Sequence, residues 1–366
     1  MKYKILLFAV SMFLFSSCKI GRFFIYNFAD INDHKKFPAR SLQASPTPFQ
    51  FKDGKNTYVE PILTMKTGGQ ISLNKLNEEH NTVAFLIIRN DSVLFENYYA
   101  GYTRQQLVPS FSVAKSFTSA LIGCAIDDGL IKSVNEPITN YIPELKENGF
   151  DKVSIRHVLL MTSGLDFNES YYNPFGDAAT FYYGRTLRKS IAKMKLEEEP
   201  GTDFEYQSGN TQLLGLILER ALKTKTITQY LQEKIWTPLQ METPASWSID
   251  KKKDGLEKTF CCINSTAIDF AKFGRLFLNK GNWNGKQLIS STWVEESTKL
   301  DTTDGSVPYY QYQWWSARPG EDFFAEGILG QFIYVYPKKN LIIVRLGSSY
   351  GNVSWRSVFV KLAEQL

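Results

Sequence analysis

Histidine and cysteine are scarce in this chain of 366 residues. The three histidines, His34, His80 and His157, lie far apart, and no two of them form the helical pair that many metal sites use. Among the four cysteines, Cys261 and Cys262 are adjacent, a spacing that fits neither a zinc site nor a disulfide framework. We therefore expect no metal site and no cofactor.

An excess of charge of one sign is also absent. The formal net charge is +5, and the basic residues are dispersed along the chain, so no stripe of positive charge is available to follow a phosphate backbone. Hydrophobic residues make up 43% of the chain and charged residues 22%, which is ordinary for a globular protein. These values argue against a nucleic-acid partner and against a disordered chain.

The start of the chain has an apolar run that is too short to span a bilayer. Two lysines precede residues 5–15, which are apolar over the length of a signal-peptide core. The following Ser16-Ser17-Cys18 resembles a bacterial lipobox, although Phe15 stands where a smaller aliphatic residue is usual. Residues 1–18 are therefore predicted to be a signal peptide with Cys18 as the lipidation site, giving an exported, membrane-anchored lipoprotein of the periplasmic envelope. The alternative, an uncleaved N-terminal anchor, predicts the same compartment.

The strand signals nearest the N-terminus predict a hairpin. Residues 19–55 contain three prolines and show no sustained periodicity, so they are predicted to form a tether and then a wrapping segment. Residues 83–89 and 93–99 are apolar, β-branched and aromatic runs on either side of Asn90-Asp91-Ser92. That turn chemistry predicts a two-stranded antiparallel unit.

Helix signals follow, and strand signals return only near the C-terminus. A long helix is predicted from Ser112 to about Asp128, and residues 131–254 carry mostly helical periodicity. Strands are predicted at 310–316, 332–336 and 341–346, with a last helix over 353–366. This order predicts an α+β protein with a sheet domain made of residues 56–130 and 255–366, a helical subdomain at 131–254, and a site in the cleft between them.

A serine and a lysine at the start of the predicted long helix form the candidate catalytic pair. A hydrolytic serine needs a base within hydrogen-bond reach, and Ser112 and Lys115 share one helix face because they are three residues apart. The spacing alone is weak, since it also begins at Ser16, Ser72, Ser190 and Ser248. The position of Ser112 after a hairpin and at the start of a long apolar helix distinguishes it from a helix-capping serine with a solvated lysine.

Three motifs in order carry a family resemblance. They are Phe-Ser-Val-Ala-Lys at 111–115, Leu-Leu-Met-Thr-Ser-Gly-Leu at 159–165 and Tyr-Gln-Ser-Gly-Asn-Thr-Gln-Leu-Leu-Gly at 206–215. From about residue 35 onward the chain resembles the serine β-lactamase and penicillin-recognising superfamily, in particular its class C-like esterase branch, which includes 6-aminohexanoate-dimer hydrolases. The resemblance implies a β-lactamase/transpeptidase-like fold, with an antiparallel five-stranded sheet flanked by helices and a helical subdomain.

The resemblance also implies roles for individual residues. Ser112 would be acylated, Lys115 would activate it, and Tyr206 would protonate the leaving group. The backbone N–H groups of Ser112 and Ile328 would form the oxyanion hole, whose donors do not depend on side-chain identity. Among the aromatic residues of 167–183, Tyr171 is predicted to contact substrate.

Two motifs depart from the superfamily pattern. Ser208 stands where asparagine is usual, so recognition of a substrate amide would pass to Ser208 or to Asn210. Ala325-Glu326-Gly327 occupies the place of Lys-Thr-Gly or His-Thr-Gly, and alanine cannot bind the carboxylate of a β-lactam or a cell-wall peptide. Gly327 is retained, which fits a close approach of backbone to ligand.

The predicted function is hydrolysis of a small ester or amide through a Ser112 acyl-enzyme. One alternative is a D-alanyl-D-alanine carboxypeptidase or weak β-lactamase, and a second is a non-catalytic envelope binding protein of the same fold. Asp166 and Glu169 are loop carboxylates that either face solvent or meet a substrate amine.

Overall fold

The computed structural model describes residues 19–26, 28–64 and 68–366. The predicted signal peptide and the predicted lipidation site Cys18 lie outside these residues. Within the described ranges, none of the helices combines the length and the apolar character required to cross a bilayer.

The described residues contain eighteen strands, several of them only two residues long. They are β1 Ala39–Leu42, β2 Lys52–Asp53, β3 Ile62–Thr64, β4 Gln70–Ser72, β5 Thr82–Arg89, β6 Ser92–Tyr98, β7 Val108–Pro109, β8 Leu165–Asp166, β9 Lys195–Leu196, β10 Ala245–Ser248, β11 Ile263–Ser265, β12 Asn282–Trp283, β13 Lys286–Gln287, β14 Tyr310–Gln311, β15 Trp314–Trp315, β16 Phe323–Gly327, β17 Gln331–Tyr336 and β18 Leu341–Gly347.

The same ranges contain eleven α-helices. They are α1 Lys19–Tyr26, α2 Leu73–Glu79, α3 Ala114–Asp127, α4 Ile155–Leu160, α5 Asp177–Tyr183, α6 Leu187–Ile191, α7 Ser208–Leu222, α8 Ile227–Leu231, α9 Ala267–Leu278, α10 Ser291–Thr298 and α11 Trp355–Gln365.

A central sheet joins strands from both halves of the chain, in the order β14-β15-β16-β17-β18-β5-β6-β2. All neighbours are antiparallel except β2 and β6, which run parallel. The α+β class is confirmed, but the sheet has eight strands rather than five. The five long strands β16, β17, β18, β5 and β6 form its body, and short strands extend both edges.

One of these extensions corrects a predicted strand. Residues 310–316 form two short strands instead of one, because Tyr312 and Gln313 adopt positive φ values of 36° and 70° and fold β15 back onto β14. The predicted hairpin is confirmed: Arg89 pairs with Ser92. Asn90 and Asp91 make the turn with φ values of 51° and 58°, a conformation that Asn and Asp tolerate well.

Helices cover both faces of the sheet. Along β5, Phe85 and Ile87 belong to the apolar cluster that includes Phe359 of α11, whereas Leu86 and Ile88 belong to the cluster that includes α9. Alternate side chains of a strand point to opposite faces, so a strand buried on both faces reads as a continuous apolar run. This explains why residues 83–89 show no polar alternation.

The rest of the chain packs around α3 and the first sheet cluster. Helix α3 contacts α7, and its side chains are buried on all sides from Ala114 to Ala125, including those of Lys115, Ser116, Thr118 and Ser119. Where composition predicts a tether, residues 19–26 form α1, which packs on α5. Strand β1 pairs with β10, so the wrapping segment joins a second, four-stranded sheet. The division at residues 130 and 255 stays a prediction.

Candidate active site

A strained turn presents Ser112 at the start of α3. Strand β7 leads into a short 3₁₀ turn at Phe111–Val113. Phe111 is buried and has a φ of 43°, a left-handed value that is unusual for a bulky residue. Ser110 fixes the turn to β11, since its N–H donates to the Ile263 carbonyl at 2.7 Å and its Oγ accepts from the Ile263 N–H at 3.1 Å. Ser112 therefore sits half-exposed on an otherwise buried segment.

Lys115 lies below Ser112 in a dry environment. Its side chain is 2% exposed, and its Nζ lies 3.1 Å from Ser112 Oγ, 3.1 Å from Ser208 Oγ and 2.9 Å from the Phe260 carbonyl oxygen. Burial lowers the pKa of Lys115 to about 8 because desolvation penalises the ammonium, while the Glu169 carboxylate opposes this shift. A substantial fraction of the amine is therefore neutral near pH 8.

Glu169 fixes the direction of the bond between Lys115 and Ser208. Ser208 Oγ donates to Glu169 Oε1 at 2.6 Å, and the Ser208 N–H donates to Glu169 Oε2 at 2.7 Å. Since a carboxylate only accepts, Ser208 Oγ has spent its proton and must accept from Lys115. The Phe260 carbonyl also only accepts. A neutral Lys115 thus uses both N–H groups on these two acceptors, which directs its lone pair toward the Ser112 hydroxyl.

Tyr206 completes the group of three side chains predicted to be catalytic. Lys115 Nζ lies 5.1 Å from the centre of its ring, and the Ser112 side chain opposes the effect of burial on the pKa of its hydroxyl. Trp315 packs against the ring at a centroid distance of 5.2 Å. Burial raises the pKa of Tyr206 well above its usual value. The phenol therefore stays protonated and can donate a proton, rather than acting as a stored phenolate.

Ser112 faces a cavity of about 420 Å³. None of the described residues that line it carries a formal charge, and half of them are aromatic. The aromatic lining residues are Phe28, Phe111, Tyr171, Tyr172, Tyr182, Tyr183, Phe260 and Tyr350. Tyr171, the predicted substrate contact, is among them, and its hydroxyl donates to Glu169 Oε1 at 2.7 Å. Ile328 also lines the cavity, so the structure brings the second predicted oxyanion donor to the same space as Ser112.

The sequence model of the β-lactamase family matches residues 73–364. The chain belongs to the β-lactamase family. It is 30% identical over 333 residues to the 6-aminohexanoate-dimer hydrolase of Paenarthrobacter ureafaciens, covering 85% of this chain and 84% of that protein. The resemblance predicted from the motifs is thereby confirmed, and these names indicate a hydrolase of the serine β-lactamase superfamily.

Solved structures show the same fold. A structure from Bacillus anthracis assigned as a 6-aminohexanoate-dimer hydrolase superposes with a TM-score of 0.81 at 24% identity, over 92% of both chains. A penicillin-binding protein from Bacillus halodurans gives a TM-score of 0.62 at 17% identity, over 79% of this chain and 98% of that one. At these identities the likeness concerns the fold alone.

In this β-lactamase-family chain, Gly327 makes room for the protein's own backbone. Its φ of −130° is ordinary, but a Cβ at this position would lie 2.5 Å from the Ser110 carbonyl oxygen and 3.0 Å from the Ser112 nitrogen. Gly327 is not among the residues that line the cavity. Its predicted role in ligand approach is therefore corrected: the absence of a side chain lets β16 lie against the turn that carries Ser112.

Asn210 does not reach the cavity. It is fully buried, its Oδ1 accepts from Ser163 Oγ at 2.5 Å and its Nδ2 donates to Gln207 at 3.4 Å. The prediction that it recognises a substrate amide is therefore wrong, because its amide ties the start of α7 to the turn at 162–164. Ser208 does line the cavity, although its hydroxyl is already engaged with Lys115 and Glu169.

Strand β16, where the superfamily has a cation that binds a carboxylate, instead carries Glu326, which is paired with Arg356. Ala325 is buried in β16. Glu326 accepts from the Tyr350 hydroxyl at 3.0 Å and from Arg356 Nε at 2.8 Å. The guanidinium is thus neutralised by Glu326, and no cation lines the described cavity to meet a substrate carboxylate.

Two features of the site were not predicted from the sequence. Glu169, expected to face solvent or an amine, is half-buried and anchors Ser208 from 39 residues away. Cys261 and Cys262 form a disulfide with each other. Their adjacent spacing argued against a disulfide framework, and this single local disulfide was not predicted. Cys261 lines the cavity, and the preceding Phe260 supplies the carbonyl that accepts from Lys115. Adjacency of the two cysteines was the only available signal.

Proposed function

We propose that this protein is a serine hydrolase that cleaves small, uncharged esters or amides through an acyl-enzyme on Ser112. The observation that carries the proposal is the hydrogen-bond order around Lys115, whose neutral form has one free lone pair and one remaining neighbour, Ser112 Oγ, at 3.1 Å. This is the geometry of a nucleophile with its base in hydrogen-bond reach.

The proposed reaction proceeds in two halves. Lys115 takes the proton of Ser112 as Oγ attacks the substrate carbonyl, and the N–H groups of Ser112 and Ile328 bind the developing oxyanion. Tyr206 gives its hydroxyl proton to the leaving alcohol or amine as that bond breaks, and the proton held by Lys115 returns to Tyr206. Water then attacks the acyl-enzyme as Lys115 takes one of its protons, and that proton passes to Ser112 Oγ as the bond to the acyl group breaks.

The cavity wall supports an uncharged substrate. The relative from Paenarthrobacter ureafaciens is named for the 6-aminohexanoate dimer, a linear amide with an ammonium at one end and a carboxylate at the other. Neither end would find an opposite charge among the described residues that line this cavity. An apolar acyl group on an ester or amide matches its aromatic wall better.

Specific observations favour the proposed hydrolase over the two alternative functions, a carboxypeptidase or β-lactamase and a non-catalytic binding protein. A carboxypeptidase or β-lactamase would need a cation near Ala325, where Arg356 is already paired with Glu326. A non-catalytic binding protein would have no use for a buried lysine with a lowered pKa beneath an accessible serine.

A panel of p-nitrophenyl esters and anilides of increasing acyl length tests the proposal. We expect turnover of esters by the wild type and a loss of at least about 10³-fold in kcat/KM for Ser112→Ala. Ser190→Ala is the matched control, because Ser190 and Lys193 have the same spacing on a surface helix end. Full turnover by Ser112→Ala would exclude the proposed nucleophile.

A further inference from the structure

Large apolar side chains are exposed at the cavity and on the two chain segments next to it. We call this group the mouth patch and define it as Phe24, Ile25, Phe28, Tyr172 and Phe175. Their exposed fractions are 67%, 55%, 43%, 78% and 71%. Large apolar side chains exposed singly are common, but a contiguous group of them marks a surface that meets another apolar phase.

Ring contacts connect the patch to the interior of the cavity. Phe24 and Phe28 both pack on the buried Phe23, at centroid distances of 5.5 Å and 5.6 Å. Phe28 packs on Tyr172 at 5.6 Å, and Phe28 and Tyr172 both line the cavity. An apolar chain leaving the cavity would therefore meet the mouth patch rather than a polar rim.

Helix α1 holds its part of the patch firmly against the folded body. Phe23 packs on Tyr183 at 5.4 Å, Arg22 Nε donates to the Tyr183 carbonyl at 2.7 Å, and Lys19 Nζ donates to Thr180 Oγ1 at 2.5 Å. With these residues turned inward onto α5, Phe24 and Ile25 point outward.

The distance from the predicted lipidation site selects a membrane as the occupant. Cys18 immediately precedes α1, and one residue spans at most about 3.6 Å. The eight residues of α1 span about 12 Å. Acyl chains on Cys18 would therefore enter the bilayer beside the mouth patch. A lipid anchor this close to α1 holds the mouth patch near the membrane surface, and aromatic side chains suit the bilayer interface.

We propose that the mouth patch seats in the interface of the membrane that anchors the chain, so that the cavity opens onto the bilayer. This inference about the substrate rests on the proposed hydrolase function. The expected substrates are then amphiphilic esters or amides whose acyl chain partitions into the membrane. The chain enters the cavity along Phe28 and Tyr172, and its ester group reaches Ser112.

Photo-crosslinking tests the docking without using enzyme activity. The full chain, produced with its native N-terminus in a bacterial host, is reconstituted in vesicles that contain a phospholipid with a diazirine in its acyl chain. After irradiation, we expect lipid adducts in the peptides that contain residues 24–28 and 172–175. Adducts restricted to residues before Lys19, or no adducts in the folded body, would overturn the proposal, as would a protein partner that covers the patch and excludes lipid.

Turnover of a vesicle-embedded ester tests the consequence for substrate access. The triple variant Phe24→Ser, Ile25→Ser and Phe175→Ser avoids the residues that line the cavity. We expect at least a tenfold loss of activity on the long-chain ester in vesicles and less than a twofold change on a short soluble ester. Val59→Ser is the control, because Val59 is 83% exposed and outside the mouth patch. Equal loss on both substrates would contradict docking, whereas absence of all turnover alongside positive crosslinking would contradict only the hydrolase function.

Discussion

At the residue scale, the protonation of Lys115 links the buried network to the reaction. The amine is charged below its pKa of about 8 and neutral above it, and only the neutral form can accept the Ser112 proton. Glu169 acts in the opposite direction to burial, because its negative charge favours the ammonium. The balance between these two effects sets the pH at which Ser112 can be activated.

The pH dependence of ester turnover follows from this balance. We expect kcat/KM to rise about tenfold per pH unit at acidic pH and to level off above about pH 8, as Lys115 loses its proton. Steady-state measurements between pH 5.5 and 10 with an uncharged ester check this. In Glu169→Gln, loss of the carboxylate charge removes an effect that raises the pKa of Lys115, so the whole acidic limb moves to lower pH.

Asp166→Asn is the matched control, since Asp166 is an exposed carboxylate at the end of β8, three residues before Glu169. Its profile should coincide with that of the wild type. If kcat/KM of Glu169→Gln falls at every pH but the midpoint of its pH profile is unchanged, Glu169 has a structural role only. A shift of that midpoint to higher pH would contradict the predicted direction.

At the scale of secondary-structure elements, the contact between β16 and the nucleophile turn depends on one missing side chain. Gly327→Ala would place a methyl group 2.5 Å from the Ser110 carbonyl oxygen, and backbone on both sides leaves little room to adjust. We expect β16 to shift away from Ser112 and kcat/KM to fall by at least about tenfold, since small displacements of catalytic groups are costly. Kinetics and thermal unfolding measured together check this.

Gly274→Ala separates this effect from general overpacking. Its Cβ would lie 2.9 Å from Ile333 and 3.1 Å from Ile342, both side-chain contacts between α9 and the sheet. This variant should lower the melting temperature while the folded enzyme keeps its kcat/KM. Similar kinetic losses in both variants would refute a specific role for Gly327.

Elements with local signals were predicted well, and elements held by distant contacts were not. The β5–β6 hairpin follows from Asn90 and Asp91, whose turn preference is local. By contrast, the break at Tyr312 and Gln313 depends on distant partners. Gln313 accepts from Thr211 at 2.7 Å and donates to the Leu159 carbonyl at 3.0 Å, and neither contact is visible in residues 310–316.

At the scale of the whole molecule, the family motifs predicted the group Ser112, Lys115 and Tyr206, because each motif has a characteristic order along the chain. Glu169 could not be predicted in the same way. Glu169 contributes to the site because the fold brings its carboxylate, which lies in a loop, to Ser208, the first residue of α7. Asn210 shows the opposite error: it lies within the motif at 206–215 and was predicted to contact substrate, but it is fully buried and its amide is satisfied by its neighbours.

The uncharged cavity also belongs to this scale, since its wall combines the segment after α1, the loop at 168–176, α5, the disulfide segment and the turn after β16. No single stretch of sequence specifies it. Together with the mouth patch, it connects the proposed nucleophile to an apolar exterior, which is why the substrate proposal rests on the assembled molecule and not on the motifs.

Intact-mass spectrometry of the protein during turnover of a slowly hydrolysed ester detects the proposed acyl-enzyme itself. We expect a transient mass increase equal to the acyl group, mapped by peptide analysis to Ser112 and absent in Ser112→Ala. Ester hydrolysis with no covalent intermediate under rapid acid quench, or an acyl group on any other residue, would contradict the proposed acyl-enzyme on Ser112.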